Sequence, residues 1–337
     1  MMDPRTTDNL APLLAGRLAG RLAGGSASGQ EDPRALDRQL LHGPDALRPR
    51  RRPPLTIAFY DFWPEFNKAR NFFTEILSSR FALKVVEDDA DLAAHSVFGL
   101  RHQTAKAKKT LFYTGECRRP PLDAVDMAIS FDRIDHPRHY RLPLYVPHAY
   151  DHAREGATPH YCQPLLAPRI PDRATFESLK FCAFLYKNPH PPRRNAFFKH
   201  LDGVRRVDSL GWHLNNTVVA VKPGWLAKIR VLSRYRFAFA FENESHPGYV
   251  TEKPLDAFQA GAIPLYWGCP HVAQEINPDS MIDLTGCDDD DAAAARVMEV
   301  ADDYDRWRAV RSASPFLGRP EFYFDAYRLA DWIAERM

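Results

Sequence analysis

Residues 237–268, FAFAFENESHPGYVTEKPLDAFQAGAIPLYWG, crowd chemically capable side chains between two apolar runs. Asn243, His246 and Tyr249 fall in a polar loop, and Glu252 and Lys253 follow at the start of a helical pattern. A lysine beside the free N–H groups of a helix start attracts an anion, and suits a polyphosphate better than a neutral metabolite. Glu252 either serves the helix dipole or faces a cation developing on a substrate; its position allows both. A second set lies in NPHPPRRNAFF, residues 188–198, where prolines fix an extended loop and Arg193, Arg194 and Asn195 enter a helix. Arginine offers a permanently charged planar fork for phosphate oxygens. A third is FYTGE, residues 112–116, whose Thr-Gly turn presents Glu116 beyond an apolar run. Taken alone, Glu116 reads as a solvated turn carboxylate; partial burial would raise its pKa and make it a better base.

These residues need elements to hold them. Residues 237–241 are short, apolar and aromatic, which predicts a buried strand. Thr251 is placed to cap a helix, with Pro254 in its first turn, where a missing N–H costs little. Leu255, Phe258 and Ala262 share one face, Gly261 suits the helix end, and residues 262–267 read as another strand. The loop and helix start then lie at the carboxyl end of the first strand, the ligand-binding edge of α/β folds.

Other candidates are weaker. The runs DDDD (residues 288–291) and EDD (residues 87–89) fit a helix start and a surface turn. His148 and His152 are spaced i, i+4 but lack the glutamate of an HExxH site, so no metal is expected. Arg193 reads as a solvated charge. Trp63, Trp225 and Trp267 read as core, with Trp63, in the loop after the first strand, also placed to line a cleft. Five scattered cysteines, with no CxxC pair, oppose both a zinc site and a disulfide framework and fit a reducing compartment.

At 337 residues, with 45% apolar and 26% charged residues and a formal net charge of +2, the chain fits a soluble protein of about two domains without a nucleic-acid partner. No apolar run approaches the roughly 20 residues of a membrane span. Residues 1–54, with LAGRLAGRLAGG and a basic run ending in RPRRRPP, are expected to be a disordered tail. Strands are expected at 55–60, 82–86, 96–99, 110–113, 127–131 and 142–146, with a helix over 66–79. They predict a largely parallel α/β domain over 55–146. An interdomain connection is placed at 147–176. A second α/β domain at 177–320 carries strands at 180–186, 237–241, 262–267 and 280–284. Its helices are expected at 195–201, 224–235, 289–301 and 302–312, and a closing helix at 321–337.

FEN, YVTEK and IPLYWG at their spacing, with RNxF at Arg194 and FYTGE at Glu116, resemble the α-1,3/4-fucosyltransferases of glycosyltransferase family 10, above all the bacterial members. The likeness covers roughly residues 55–332. It implies a GT-B fold, two Rossmann-like domains facing each other across a cleft. It implies inverting transfer of L-fucose from GDP-β-L-fucose to a GlcNAc hydroxyl of a LacNAc-type glycan, in α-1,3 or α-1,4 linkage, as in lipopolysaccharide O-antigens. The matching residues make Glu116 the general base and Arg194 and Lys253 the diphosphate cations. Asn243 and Tyr249 contact the nucleotide sugar, and Glu252 contacts the fucose. No divalent metal is required. GWHLNNT, at residues 211–217, lacks the arginine that relatives carry near the nucleotide, which puts that contact in question. The heptad tail of well-known bacterial relatives is absent, so no tail-mediated dimer is expected. Animal members are anchored in the Golgi; here a cytoplasmic bacterial enzyme is expected, with the basic tail offering a peripheral contact to the inner membrane. Another sugar nucleotide, or non-catalytic binding, are the alternatives.

Overall fold

The computed structural model describes residues 52–148, 165, 169–218, 220–221, 224–317 and 325–337. The expected tail up to residue 51, much of the expected connection, and residues 321–324 lie outside the described residues.

Two all-parallel sheets are built from short runs buried on both faces, as parallel strands flanked by helices require. The first has the order β2-β1-β3-β4-β5-β6, with β1 Pro54–Tyr60, β2 Ala82–Val85, β3 Ala90–His95, β4 Ala107–Tyr113, β5 Met127–Ser130 and β6 His139–Arg141. The second has the order β11-β10-β9-β7-β8, with β7 Lys180–Phe184, β8 Asp208–Ser209, β9 Tyr235–Phe241, β10 Ile263–Trp267 and β11 Ile282–Asp283. The central strand–helix–strand unit has the predicted form: β9 pairs with β10 from Phe237↔Ile263 to Phe241↔Trp267.

Helices α1 Phe72–Leu77, α2 Arg173–Ser178, α3 Pro192–Val204, α4 Trp225–Leu232, α5 Lys253–Ala260, α6 Asp290–Ala301, α7 Tyr304–Ser312 and α8 Asp325–Ala334 complete the described elements. Asn71 and Thr74 form a reciprocal capping box at α1, which starts six residues later than its apolar pattern suggested. Asp289 caps α6 through Ala292 N–H, and Arg193 pairs with Asp290, so DDDD and Arg193 are used structurally. Gly261 ends α5 at φ 78°, the left-handed position expected of it. No helix among the described residues is long and apolar enough to cross a membrane.

Three expectations need correction. Residues 96–99 are not a strand; the strand is the alanine-rich β3 just before them. Residues 142–146 are buried but leave the sheet after β6, where Pro143 cannot donate to a ladder. Thr251 does not cap α5: Glu252 holds the N-cap position without a side-chain cap bond, and the Thr251 hydroxyl turns to Glu242.

One apolar core runs beneath both sheets. It joins Ile57, Leu111 and Ile129 of the first sheet to Val250, Leu255, Phe258 and Ile276, and takes in Leu329 and Ile333 of α8. Each such side chain contributes about 1.5–3 kcal/mol by burial. Asp331 of α8 also meets Arg80, so the closing helix is tied to the first sheet's side. Glu275, beyond β10, pairs with Arg141 at 2.5 Å and Arg133 at 3.3 Å across the same seam.

Gly248 marks the tightest point of that seam. Its φ is 81°, its N–H meets Cys269 Sγ at 3.1 Å, and a Cβ there would lie 2.6 Å from the Phe131 carbonyl oxygen. Gly248→Ala should therefore cost about 2 kcal/mol, from left-handed strain plus the displaced contact. A thermal midpoint several degrees lower would agree; an unchanged midpoint would show that the seam can slide freely.

Candidate functional site

The loop after β9 and the start of α5 form the centre. Glu242 N–H extends the sheet ladder to Trp267 O at 2.8 Å, which drives the Glu242 side chain inward, fully buried. Its carboxylate accepts from Thr251 N–H at 2.8 Å, the Thr251 hydroxyl at 2.7 Å and Lys253 Nζ at 2.9 Å. Lys253 Nζ also donates to Thr251 Oγ1 at 2.8 Å and lies 3.7 Å from Glu252 Oε1. Burial works to lower the Lys253 pKa, but Glu242 and Glu252 outweigh it and hold the ammonium charged. Burial pushes the Glu242 carboxyl up, with Lys253 opposing.

Arg194, on the first turn of α3, has no exposed surface. Its guanidinium lies 3.7 Å over the Tyr186 ring and donates to Asn243 Oδ1 at 3.2 Å and Asn188 O at 2.6 Å. Arg194 thus braces Asn243, and the two predicted donor residues do come together. The single Tyr186 O–H is shared between Phe239 O and Phe241 O at the end of β9, and its oxygen accepts from Phe241 N–H.

Tyr249 is buried rather than open to solvent. It packs 5.0 Å from the Phe131 ring, in a cluster with Leu144 that Cys117 adjoins. Burial raises its phenol pKa; Lys253 opposes this, while the charges of Glu242 and Glu116 add to it. Glu116 is exposed on the turn after β4, its N–H bonded to Thr114 Oγ1 at 3.0 Å. Its neighbour Cys117 packs against the Phe131–Leu144–Tyr249 cluster, and burial followed by the Glu244 carboxylate of the β9 loop pushes that thiol up to about 11. The turn that carries Glu116 is therefore seated against the loop that carries Asn243 and Tyr249. Asp132 sits in the same seam with Arg119, Ser130 and, at 3.9 Å, His246.

A cavity of about 350 Å³ opens beside this centre, lined among others by Tyr186, Trp212, Trp225, Lys228, Glu252 and Asp256. Sequence reasoning missed Lys228 and Asp256. Asp256, 1% exposed, receives Lys228 Nζ at 2.6 Å and the Trp225 indole N–H at 3.0 Å, with His148 Nε2 at 3.4 Å. Asp256 lies four residues after Glu252, on the same helix face, and that spacing was the available signal. Burial would raise both carboxyls. Lys253, His148 and Lys228 hold Glu252 low, and Lys228 and His148 hold Asp256 low. Trp225, read as core, packs against the core and also borders the cavity. The loop 211–217 presents Trp212, 64% exposed, at the rim; Gly211 is required there because a Cβ would fall 2.2 Å from Tyr186 O. His148 is engaged with Asp256, and its i, i+4 companion His152 lies outside the described residues. The four described cysteines are unpaired.

Residues 57–148 match the model of the N-terminal domain of the α-(1,3)-fucosyltransferase FucT, and residues 179–310 that of the C-terminal part of glycosyltransferase family 10 (fucosyltransferase). The Helicobacter pylori α-(1,3)-fucosyltransferase FucT is 32% identical over 267 residues, covering 69% of this chain and 54% of that protein. The chain thus spans about half the length of that curated relative. A putative fucosyltransferase of Acanthamoeba polyphaga mimivirus is 35% identical over 106 residues, 29% of this chain and 18% of that protein. A crystal structure of an α1,3-fucosyltransferase with GDP superposes with a TM-score of 0.71 at 25% identity, covering 91% of this chain and 97% of that one. Anabaena HepE with UDP-glucose, a likeness of fold alone, gives a TM-score of 0.50 at 6% identity over 84% of this chain and all of that one.

Proposed function

We propose that this chain, which belongs to glycosyltransferase family 10 and has its GT-B architecture, transfers L-fucose from GDP-β-L-fucose to a GlcNAc hydroxyl with inversion. The observation that carries the reading is the packing of Cys117, next to Glu116, against the cluster that holds Tyr249, in the loop that runs from Asn243 to Glu252 and Lys253. A carboxylate at the end of one sheet is thereby placed on the side of the loop that leads to the cation and carboxylate of the other. Glu116 takes the proton of the acceptor hydroxyl as that oxygen attacks the anomeric carbon. The diphosphate leaves on the opposite face, and Lys253 stabilises the charge growing on its β-phosphate. Arg194, enclosed behind Asn243, adds its charge through that contact. Glu252 faces the sugar, where a carboxylate favours an oxocarbenium-like transition state. The cavity lined by Tyr186, Trp212 and Lys228 offers room for the nucleoside, with Trp212 as a flat surface where the missing loop arginine would stand. Two fixed cations supply the role a divalent metal fills elsewhere, so no metal is required.

The acceptor we propose is a LacNAc-type glycan such as an O-antigen end, joined α-1,3 or α-1,4, by an enzyme in the cytoplasm whose basic tail meets the inner membrane. The test pairs GDP-fucose with type 1 and type 2 disaccharides and runs GDP-mannose in parallel. Fucosylated product from one disaccharide, together with thermal stabilisation by GDP-fucose over GDP-mannose, is the expected result. Transfer from GDP-mannose alone, or GDP-fucose binding without turnover in either, would overturn it.

A further inference from the structure

We infer that Glu242 is a positioning residue for the transfer step, acting through Lys253; this rests on the reading of Lys253 as the diphosphate cation. An ammonium has three N–H donors on a flexible stem, and its direction is otherwise unfixed. Here one N–H is spent on Glu242 Oε2 at 2.9 Å and one on Thr251 Oγ1 at 2.8 Å. Glu252 Oε1, at 3.7 Å, is beyond hydrogen-bond reach, so the third N–H is left for a ligand. Glu242 cannot turn away. It is fully buried, it also holds both donors of Thr251, and Gly268 leaves its stem no spare room: a Cβ there would lie 2.5 Å from Glu242 Cγ.

The arrangement has an electrostatic consequence. Glu242 and Glu252 both flank Lys253, so two carboxyl groups stand beside this ammonium before a diphosphate arrives. Glu242 therefore weakens ground-state attraction for the anion while it aims the remaining N–H. It exchanges affinity for direction, which favours the transition state and release of the spent nucleotide.

Glu242→Gln tests this. The amide keeps an acceptor for Thr251 N–H but turns an N–H toward Lys253 and removes the counter-charge. GDP binding, by calorimetry, should tighten several-fold, while single-turnover fucosyl transfer slows about tenfold. A merely structural role would weaken GDP binding and lower the melting temperature together. That result, or any combination other than tighter GDP with slower transfer, overturns the inference. If Glu242→Gln does not fold, the double variant with Lys253→Met, which removes the ammonium that Glu242 faces, is compared with Lys253→Met alone. Equal GDP affinity and equal transfer in the two support action through Lys253; a further loss in the double variant overturns it. A wild-type protein that binds no GDP would overturn the Lys253 reading itself, whereas wild-type binding with an indifferent Glu242→Gln overturns only the positioning role.

Discussion

Glu116→Ala should slow fucosyl transfer by about 10²–10⁴-fold, the range of a lost general base, while GDP-fucose binding and the melting temperature stay at wild-type values. The fold should tolerate the change because Glu116 is exposed, and the hydrogen bonds it makes run through its backbone: its N–H to Thr114 and its carbonyl to Arg118 N–H. Alanine keeps both. The donor side should tolerate it because neither the Lys253–Glu242 pair nor the Arg194–Asn243 pair includes Glu116. A rate measured at saturating donor and acceptor separates the step from binding. Full activity would move the base elsewhere. Asp132 would then be the next carboxylate to examine, since it lies in the same seam beside His246. It is a poorer candidate, being almost wholly buried and already met by Arg119 and Ser130.

The donor half was legible because its signals are local. Aromatic residues in β9, the Gly261 stop and the Glu252–Lys253 start all sit within about thirty residues, and each has a backbone reason. Misreadings came where burial and strand formation part company. Ala90–His95 forms a central strand with little β propensity, because its backbone pairs with β1 on one side and β4 on the other and its side chains are mostly buried on the sheet faces. Residues 96–99 look more strand-like, yet they form a loop whose Phe98 N–H is bonded to Asp61 O, and the Asp61 carboxylate takes the Arg101 and His102 N–H groups just beyond it. Thr251 carried a capping signal that a stronger local partner overrode, the buried carboxylate of Glu242. The meeting of Lys228, His148 and Asp256 was invisible for a different reason. They are 28 to 108 positions apart, and no periodicity records that three elements will converge on one carboxylate.

That carboxylate should give the largest stability effect. Asp256→Ala removes the partner of a buried ammonium, and breaking such a pair costs about 3–5 kcal/mol because the remaining charge is left uncompensated. The pH dependence gives a second reading. In the wild type, burial would raise the Asp256 carboxyl, but Lys228 and His148 hold it below the ordinary value. Its contribution is therefore complete above the unfolded pKa near 3.9 and is lost as acid brings the pH down through the folded one. Lys228 is the mirror case: burial would lower it, but Asp256 and Glu252 hold it high, so its contribution is complete below about 10.4 and lost only in strong base. Between these limits wild-type stability should be flat on their account. In Asp256→Ala burial acts on Lys228 with far less opposition, its pKa falls, and the penalty is relieved as pH rises toward about 10. Denaturant unfolding at neutral and alkaline pH should then show a deficit that shrinks with base. A deficit equal at both would mean that the Trp225 indole and His148, not the ammonium, account for the loss. Adding Lys228→Met to Asp256→Ala separates the two, since it recovers stability only if the buried charge was the cost.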